Sequence, residues 1–164
     1  MPESQRTITV TIVEKPVRKL ILMRGLTAED YFALCAEIGY DKWEILESQL
    51  AQHALDKVSC VTLPPHMIKL GTSKAAFGIE MPADYGGEIP EGFEIIDLSA
   101  YTYMWFQGAP YAGEEWFVYA REEMHRTINN YKPELYSYAF ARDEAPSYVF
   151  GASAVTGARE MIPE

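Results

Sequence analysis

Aromatic rings are the side chains of this sequence best suited to a chemical role, and they make up 13% of its residues. In a strand predicted over residues 101–107, large side chains alternate between two faces: Tyr101, Tyr103 and Trp105 on one, Thr102, Met104 and Phe106 on the other. Such a strand is either buried on both faces, or it packs on the core with one face and on a ligand with the other. More rings follow in the same half of the chain: Trp116, Tyr119, Tyr136, Tyr138 and Phe140.

Aromatic walls combined with a carboxylate favour the binding of flat, hydrophobic cations. A cation over a ring face gains roughly 0.5–2 kcal/mol. A carboxylate adds charge complementarity, which is stronger where water is excluded. The sequence therefore predicts a ligand pocket, with the alternative that the rings only fill the core. The wall residues expected from the aromatic half are Tyr103, Trp105, Trp116, Tyr138 and Phe140.

Motifs for metal, phosphate or nucleophile chemistry are missing from the sequence. None of His53, His66 and His125 has a metal-type partner two to four residues away. The segment 71–74, Gly-Thr-Ser-Lys, matches only the end of a phosphate-binding loop, because the first glycine at the required spacing is absent. No catalytic residue, metal site or cofactor is predicted.

The charge balance argues against nucleic acid as a direct partner. A net charge of −10 leaves few cations to neutralise phosphates, whereas it attracts cationic small molecules. Cys35 and Cys60 lie in apolar contexts and are expected to be free thiols, as in a reducing cytoplasm. The first ten residues do not resemble a signal peptide, and no stretch reaches the ~20 apolar residues of a membrane span. We expect a cytoplasmic protein that does not enter membranes.

The elements that must position these residues occur twice. Residues 12–25 and 95–108 share the same chemistry at an offset of 83, and each segment leads to an acidic, aromatic helix start. We expect a single α+β domain over residues 1–164, made of two similar halves at about 7–82 and 93–162, joined by a turn-rich connector at 84–92. Two such halves predict tandem ββαββ units around a pseudo-twofold axis, with a shared cleft between them.

Hydrophobic periodicity and capping signals give the expected elements. Helices are predicted from an N-cap at Thr27 to Gly39, over 41–54 and over 113–130. Strands are predicted over 7–13, 18–24, 58–63, 72–81 with a bulge at Gly78, 93–98, 101–107, 135–141, 147–152 and 159–162.

The sequence resembles the GyrI-like small-molecule-binding domain, which also serves as the effector-binding domain of AraC-type and multidrug-responsive bacterial regulators. The runs that carry the resemblance are residues 30–43, 78–85, 89–98, 106–111 and 131–136. The resemblance implies a GyrI-like or SOUL-like fold, two ββαββ units around a central cleft, and binding of hydrophobic, aromatic or cationic small molecules. Tyr40 and Trp43 match the family pattern at a helix start and are expected in the cleft wall.

Two departures from the family pattern change what the resemblance implies. The first predicted strand begins within ten residues of Met1, so we expect a stand-alone ligand domain without a DNA-binding module. Many members carry a cleft glutamate in the strand after the second long helix, and our matching puts Ala139 at that position. Glu80 is the nearest substitute, on a predicted inner strand.

Three functions follow from these observations. The first is a binding domain for hydrophobic, aromatic or cationic molecules. The second is a small hydrolase of strained or electrophilic natural products, for which family members set the precedent. The third is a protein-interaction inhibitor of the gyrase type. A homodimer is expected only because such dimers are the commonest oligomers.

Overall fold

The computed structural model describes residues 8–110, 117–153 and 157–163, which form an α+β fold. The strands in chain order are β1 (Ile8–Lys15), β2 (Arg18–Arg24), β3 (Ser59–Thr62), β4 (Ala75–Pro82), β5 (Glu94–Leu98), β6 (Tyr101–Gly108), β7 (Ser147–Ser153) and β8 (Gly157–Pro163). The α-helices are α1 (Tyr31–Ile38), α2 (Tyr40–Leu50) and α3 (Phe117–Asn130). Short 3-10 helices lie at Ala51–His53, Pro65–Met67 and Pro133–Tyr136.

The strands form one antiparallel sheet in the order β1-β6-β8-β7-β3-β4-β2-β5. The first half of the chain supplies β3, β4 and β2 on one side of the centre, and the second half supplies β7, β8 and β6 on the other. The two outer strands are exchanged: β1 lies beside β6, and β5 lies beside β2. Each half therefore contributes an edge strand to the other half.

The short connections between strands force this sheet to curl. Only Pro16 and Val17 separate β1 from β2, although these strands are first and seventh in the sheet. A flat sheet would put them about 29 Å apart, whereas three Cα steps span at most about 11 Å. The same holds for β5 and β6, which Ser99 and Ala100 connect. The edges of the sheet therefore approach each other, and the sheet has an enclosed inner face.

The outer face of the curled sheet carries the helices. Ile21, Phe77 and Ile79 belong to a buried cluster with Leu34 of α1 and Leu46 of α2. Further along the same face, α3 packs on the other half of the sheet. The buried residues of that second cluster are Met104, Phe106, Met124, Ile128 and Ile162. This confirms the predicted separation of the two faces of β6, because Met104 and Phe106 pack under α3 and Tyr103 packs on the inner face.

Three expectations about local structure are wrong. Thr27 does not cap α1, because Asp30 accepts the capping hydrogen bond from the Ala33 amide at 2.8 Å. Gly78 is not a bulge, since β4 pairs with β2 in continuous register. Residues 135–141 are not a strand: Pro133 starts a 3-10 helix, and Ser137, with a φ of 65°, turns the chain out of it. The predicted start of α3 at 113–116 lies outside the described residues.

Of the helices that the described residues form, none has the length and apolar character that a membrane crossing requires.

Candidate functional site

A groove lies between α1 and α3, on the outer face of the sheet. Its volume is about 620 Å³. Phe32 of α1 forms one wall, and α3 forms the other with Val118, Arg121, Glu122, His125 and Arg126. These α3 residues are three or four positions apart, so they share one side of the helix, while Ala120, Met124 and Ile128 pack on the sheet. We call this cavity the α1–α3 groove.

Local hydrogen bonds fix the position of α1 at the rim of the groove. Asp30 caps its N-terminus, and Gly39, at a φ of 97°, both ends α1 and begins α2. Near the other end of α1, the Glu37 carboxylate accepts hydrogen bonds from the backbone amides of Leu26, Thr27 and Ala28 at 2.5, 2.8 and 3.1 Å. The loop before α1 is therefore tied back onto the helix, which holds Phe32 at the groove.

Arg121 crosses from α3 to the rings of α1. Its guanidinium carbon lies 5.1 Å from the Tyr31 ring centroid and 5.2 Å from that of Phe32. Both distances are within the range of cation–π attraction. The side chain is half-buried, whereas the Phe32 ring keeps 58% of its surface exposed. The groove therefore combines an accessible ring with a cation stacked beside it.

A chain of aromatic rings connects the groove with the core. Tyr31 contacts Trp43 at a centroid distance of 6.0 Å, and Trp43 contacts Phe77 at 5.9 Å. The Trp43 indole donates a hydrogen bond to Glu47. Burial and a hydrogen bond with Tyr40 raise the pKa of Tyr31. Of the predicted wall residues, Tyr40 and Trp43 thus lie behind Tyr31, one ring removed from Arg121.

Glu80 lies on the inner face of the sheet, away from the groove. It is 3% exposed and accepts hydrogen bonds from Lys15 Nζ at 2.5 Å, Arg18 Nε at 2.5 Å and the Tyr148 hydroxyl at 2.6 Å. Arg18 also donates to the carbonyl oxygens of Pro16 and Ser99, at 3.2 and 2.9 Å. This buried network ties the β1–β2 and β5–β6 connections to β4, so it holds the curl of the sheet.

In this network the carboxylate of Glu80 is paired with the cations of Lys15 and Arg18. Burial alone would raise the pKa of the Glu80 carboxyl, but the charges of Lys15 and Arg18 outweigh it and hold that pKa below its ordinary value. Burial raises the pKa of Tyr103 to about 12 and that of Tyr148 well above its ordinary value. Glu80 is therefore an ionised carboxylate already neutralised by two cations.

The remaining predicted wall residues are dispersed. Tyr103 is fully buried on the inner face, and Trp105 is half-buried beside the same cluster. Tyr138 and Phe140 follow the 3-10 helix at 133–136 and line a second cavity of about 510 Å³ together with Tyr101. Trp116 lies outside the described residues. The structure therefore groups the described members of the predicted site into three places and not into one cleft.

The position matched to Ala139 is not in a strand, so the matching of the family glutamate to it rested on an element that does not form. The strands that follow α3 are β7 and β8, and the acidic residue in their sequences is Glu160. Glu160 lies opposite Phe106 and Val149 in the two ladders of β8. An acidic position therefore occurs on a strand after α3, at Glu160.

Phe32 and Arg121 are the groove residues that sequence reasoning did not select. The signal for Phe32 was a large aromatic ring directly after Tyr31, the first residue of α1. The signal for Arg121 was its place three residues after Val118 and four before His125 on α3, at the border of the apolar stripe that includes Met124 and Ile128. Their contact joins residues 89 positions apart, and only the packing of both helices on one sheet face brings them together.

Comparison with known proteins identifies similar folds without a sequence family. No protein-family model and no curated protein matches the chain. SAV2435 bound to tetraphenylphosphonium is 16% identical with a TM-score of 0.58, over 94% of this chain and 93% of that one. A putative bacterial transcription regulation protein from Staphylococcus aureus Mu50 is 15% identical with a TM-score of 0.55, over 94% and 97%. EcmrR, in a complex with DNA, is 11% identical with a TM-score of 0.51, and this chain covers 59% of its length. At these identities, what the chain shares with them is the fold.

Proposed function

We propose that the chain is a binding domain for hydrophobic, aromatic small molecules, which it takes in the α1–α3 groove. The observation that carries the proposal is the groove itself: about 620 Å³, with an exposed phenyl ring and a guanidinium 5.2 Å from the centroid of that ring. Ligand pockets for small molecules have volumes of roughly 300–1,000 Å³ and combine apolar walls with a few polar groups. Phe32 and Val118 supply the apolar contacts of the groove, and the other six lining residues, all on α3, are polar or charged.

The fold comparisons support the same function. One similar structure holds tetraphenylphosphonium, an aromatic cation, and another is a putative transcription regulation protein. On that basis we propose that the chain belongs with regulator effector domains of the GyrI-like, multidrug-binding kind and acts in the bacterial cytoplasm. The hydrolase and gyrase-inhibitor alternatives have no specific observation among the described residues in their favour.

We propose further that the two halves are tandem ββαββ units. The strands β1 to β4 of the first half correspond in chain order to β5 to β8 of the second half. If each strand is replaced by its counterpart, the order of strands across the sheet reads the same from the opposite edge. The 83-residue offset found in the sequence places Arg18 on Tyr101 and Lys15 on Leu98, which begin β6 and end β5. Both facts support a pseudo-twofold relation centred between β3 and β7.

The proposed site is centred on different residues from the site that the sequence predicts. Phe32 and Arg121 form the core of the site, with Tyr31, Tyr40 and Trp43 as its supporting rings. Glu80 and Tyr103 are proposed as structural residues, because their polar groups are already satisfied within the buried network. Trp105 lies with them on the inner face.

The test is binding of two hydrophobic probe ions, tetraphenylphosphonium and tetraphenylborate, measured by isothermal titration calorimetry. We expect saturable binding of at least one ion at a stoichiometry of one. Phe32→Ala should weaken it about five- to tenfold, since it removes half-exposed aromatic contact area. Leu135→Ala is the matched control, because Leu135 is also an exposed apolar residue (73%) and lies outside the groove. Absence of binding for both ions, or equal effects of the two variants, would contradict the proposed site.

A further inference from the structure

We propose that Arg121 makes the α1–α3 groove selective for aromatic ligands that carry a negative charge, such as aromatic carboxylates and sulfonates. The inference deepens the proposed function and rests on it, because it assigns a charge preference to the same groove. It also departs from the cation preference that the acidic composition of the chain predicts.

The first observation is that the contacts of the Arg121 guanidinium among the described residues are aromatic. It lies over Tyr31 and Phe32, and no described carboxylate is within ion-pairing distance of it. The other arginine of the groove, Arg126, is paired with Glu123 at 2.5 Å. Arg121 therefore brings a positive charge to the groove that the neighbouring acidic residues do not neutralise directly.

The second observation concerns hydrogen-bonding capacity. The Tyr31 and Phe32 rings are nearly perpendicular, at 87°, so the planar guanidinium of Arg121 can stack on at most one of them. The N–H groups at its edge are available for bonds in its own plane. Those groups match the two oxygens of a carboxylate or sulfonate. A planar aromatic acid can thus meet both parts of the site at once, with its ring on the exposed Phe32 and its acidic group at Arg121.

The third observation is the placement of the opposing charge. Glu122 also lines the groove, but its side chain is exposed to solvent, whereas Arg121 is half-buried against the rings. Water screens an exposed charge more strongly than a half-buried one. The local field at the rings is therefore set by Arg121, although the whole chain carries a net charge of −10.

The matched pair of tetraphenyl ions tests the preference, because the two probes have nearly the same shape and opposite charges. Binding is measured by calorimetry in sodium buffers for the wild type, Arg121→Gln and Arg121→Lys. We expect Arg121→Gln to lower the affinity ratio of borate to phosphonium by roughly ten- to a hundredfold, since one charge a few ångströms away acts in opposite directions on the two ions. Arg121→Lys keeps the charge and should keep most of the ratio.

Arg142→Gln is the control for overall charge, because Arg142 also stacks on a ring, Phe140 at 5.4 Å, but lies outside the groove. It should leave the ratio unchanged. If both ions bind and Arg121→Gln does not alter their ratio, the charge selection is refuted while the proposed function stands. If the wild type prefers the phosphonium and loses that preference in Glu160→Gln, selection belongs to Glu160 and the inference is also refuted. If neither ion binds, both the inference and the proposed function fail.

Discussion

The guanidinium of Arg18 donates a hydrogen bond to the carboxylate of Glu80 at 2.5 Å, from β2 to the neighbouring strand β4, with both side chains almost fully buried. The same guanidinium donates a hydrogen bond to the carbonyl oxygen of Ser99, which lies in the connection between β5 and β6. One ion pair thus joins two crossing connections. The pair therefore stabilises the curl that the short connections impose on the sheet.

Replacing Glu80 by glutamine should destabilise the fold strongly. The substitution leaves Arg18 buried without its counter-charge and leaves Lys15 with Asp56 alone, at 3.9 Å. Breaking a buried pair in this way costs about 3–5 kcal/mol. Urea unfolding followed by circular dichroism measures the loss. Asp97→Asn is the control, because Lys19 and Asp97 form an ion pair at 3.2 Å in which Asp97 is 83% exposed, and exposed pairs contribute about 0–1 kcal/mol.

The same variant separates a structural role from a ligand-binding role. Glu80→Gln, kept folded at low temperature, should bind the tetraphenyl ions as the wild type does, because Glu80 lies on the inner face and the groove lies on the outer one. If Glu80→Gln had the stability of the wild type and had lost ligand binding, Glu80 would belong to the ligand site.

Stability at acidic pH should depend on Glu37. Hydrogen bonds from the backbone amides of Leu26 and Thr27 lower the pKa of Glu37 to about 2, against an ordinary value of 4.5. A depressed pKa in the folded state means stability that is complete above pH 4.5 and is lost as the pH falls from 4.5 towards 2. The difference in unfolding free energy between the wild type and Glu37→Gln should therefore be constant near neutrality and shrink over that interval. A difference that does not change between pH 6 and pH 2.5 would refute this assignment.

A side chain at position 78 should destabilise the fold. A Cβ at this position would lie 2.6 Å from the carbonyl oxygen of Ile21 and 3.1 Å from Leu20 Cδ1, so β2 and β4 would have to separate. We expect Gly78→Ala to lower the unfolding free energy by about 1–3 kcal/mol. Gly86→Ala is the control, since no atom lies within 4 Å of its added Cβ. Equal melting temperatures of the two variants would show that the strands accommodate the methyl group.

The elements of this fold were largely readable from the sequence, because strict alternation marks strands such as β1 and the glycine at 39 marks a helix end. The failures have local physical causes. Residues 135–141 alternate like a strand, yet Pro133 and the left-handed Ser137 impose a 3-10 helix and a turn. The network around Glu80 was not predictable, because the partners of Glu80 come from three other strands of the curled sheet, β1, β2 and β7.

The site was harder to predict than the fold for a similar reason. Aromatic composition indicates that rings are available for a pocket, but the rings of one sequence segment are divided between the two faces of a strand. Tyr103 and Phe106, three residues apart, lie in different clusters on opposite faces of the sheet. Arg121 and Phe32 meet because α1 and α3 both lie on the outer face of the sheet, which no local pattern encodes.

Trp43 should report ligand binding in the groove. Its indole contacts Tyr31 at 6.0 Å, and Tyr31 in turn carries the Arg121 guanidinium, so a ligand that displaces or engages Arg121 changes the environment of this ring. Trp105 lies on the inner face and should be unaffected. We therefore expect Trp43→Phe to remove part of the fluorescence change that tetraphenylborate induces, while Trp105→Phe retains all of it. The opposite pattern would place the ligand on the inner face, beside Glu80 and Tyr103, as the aromatic pattern of the sequence first suggested.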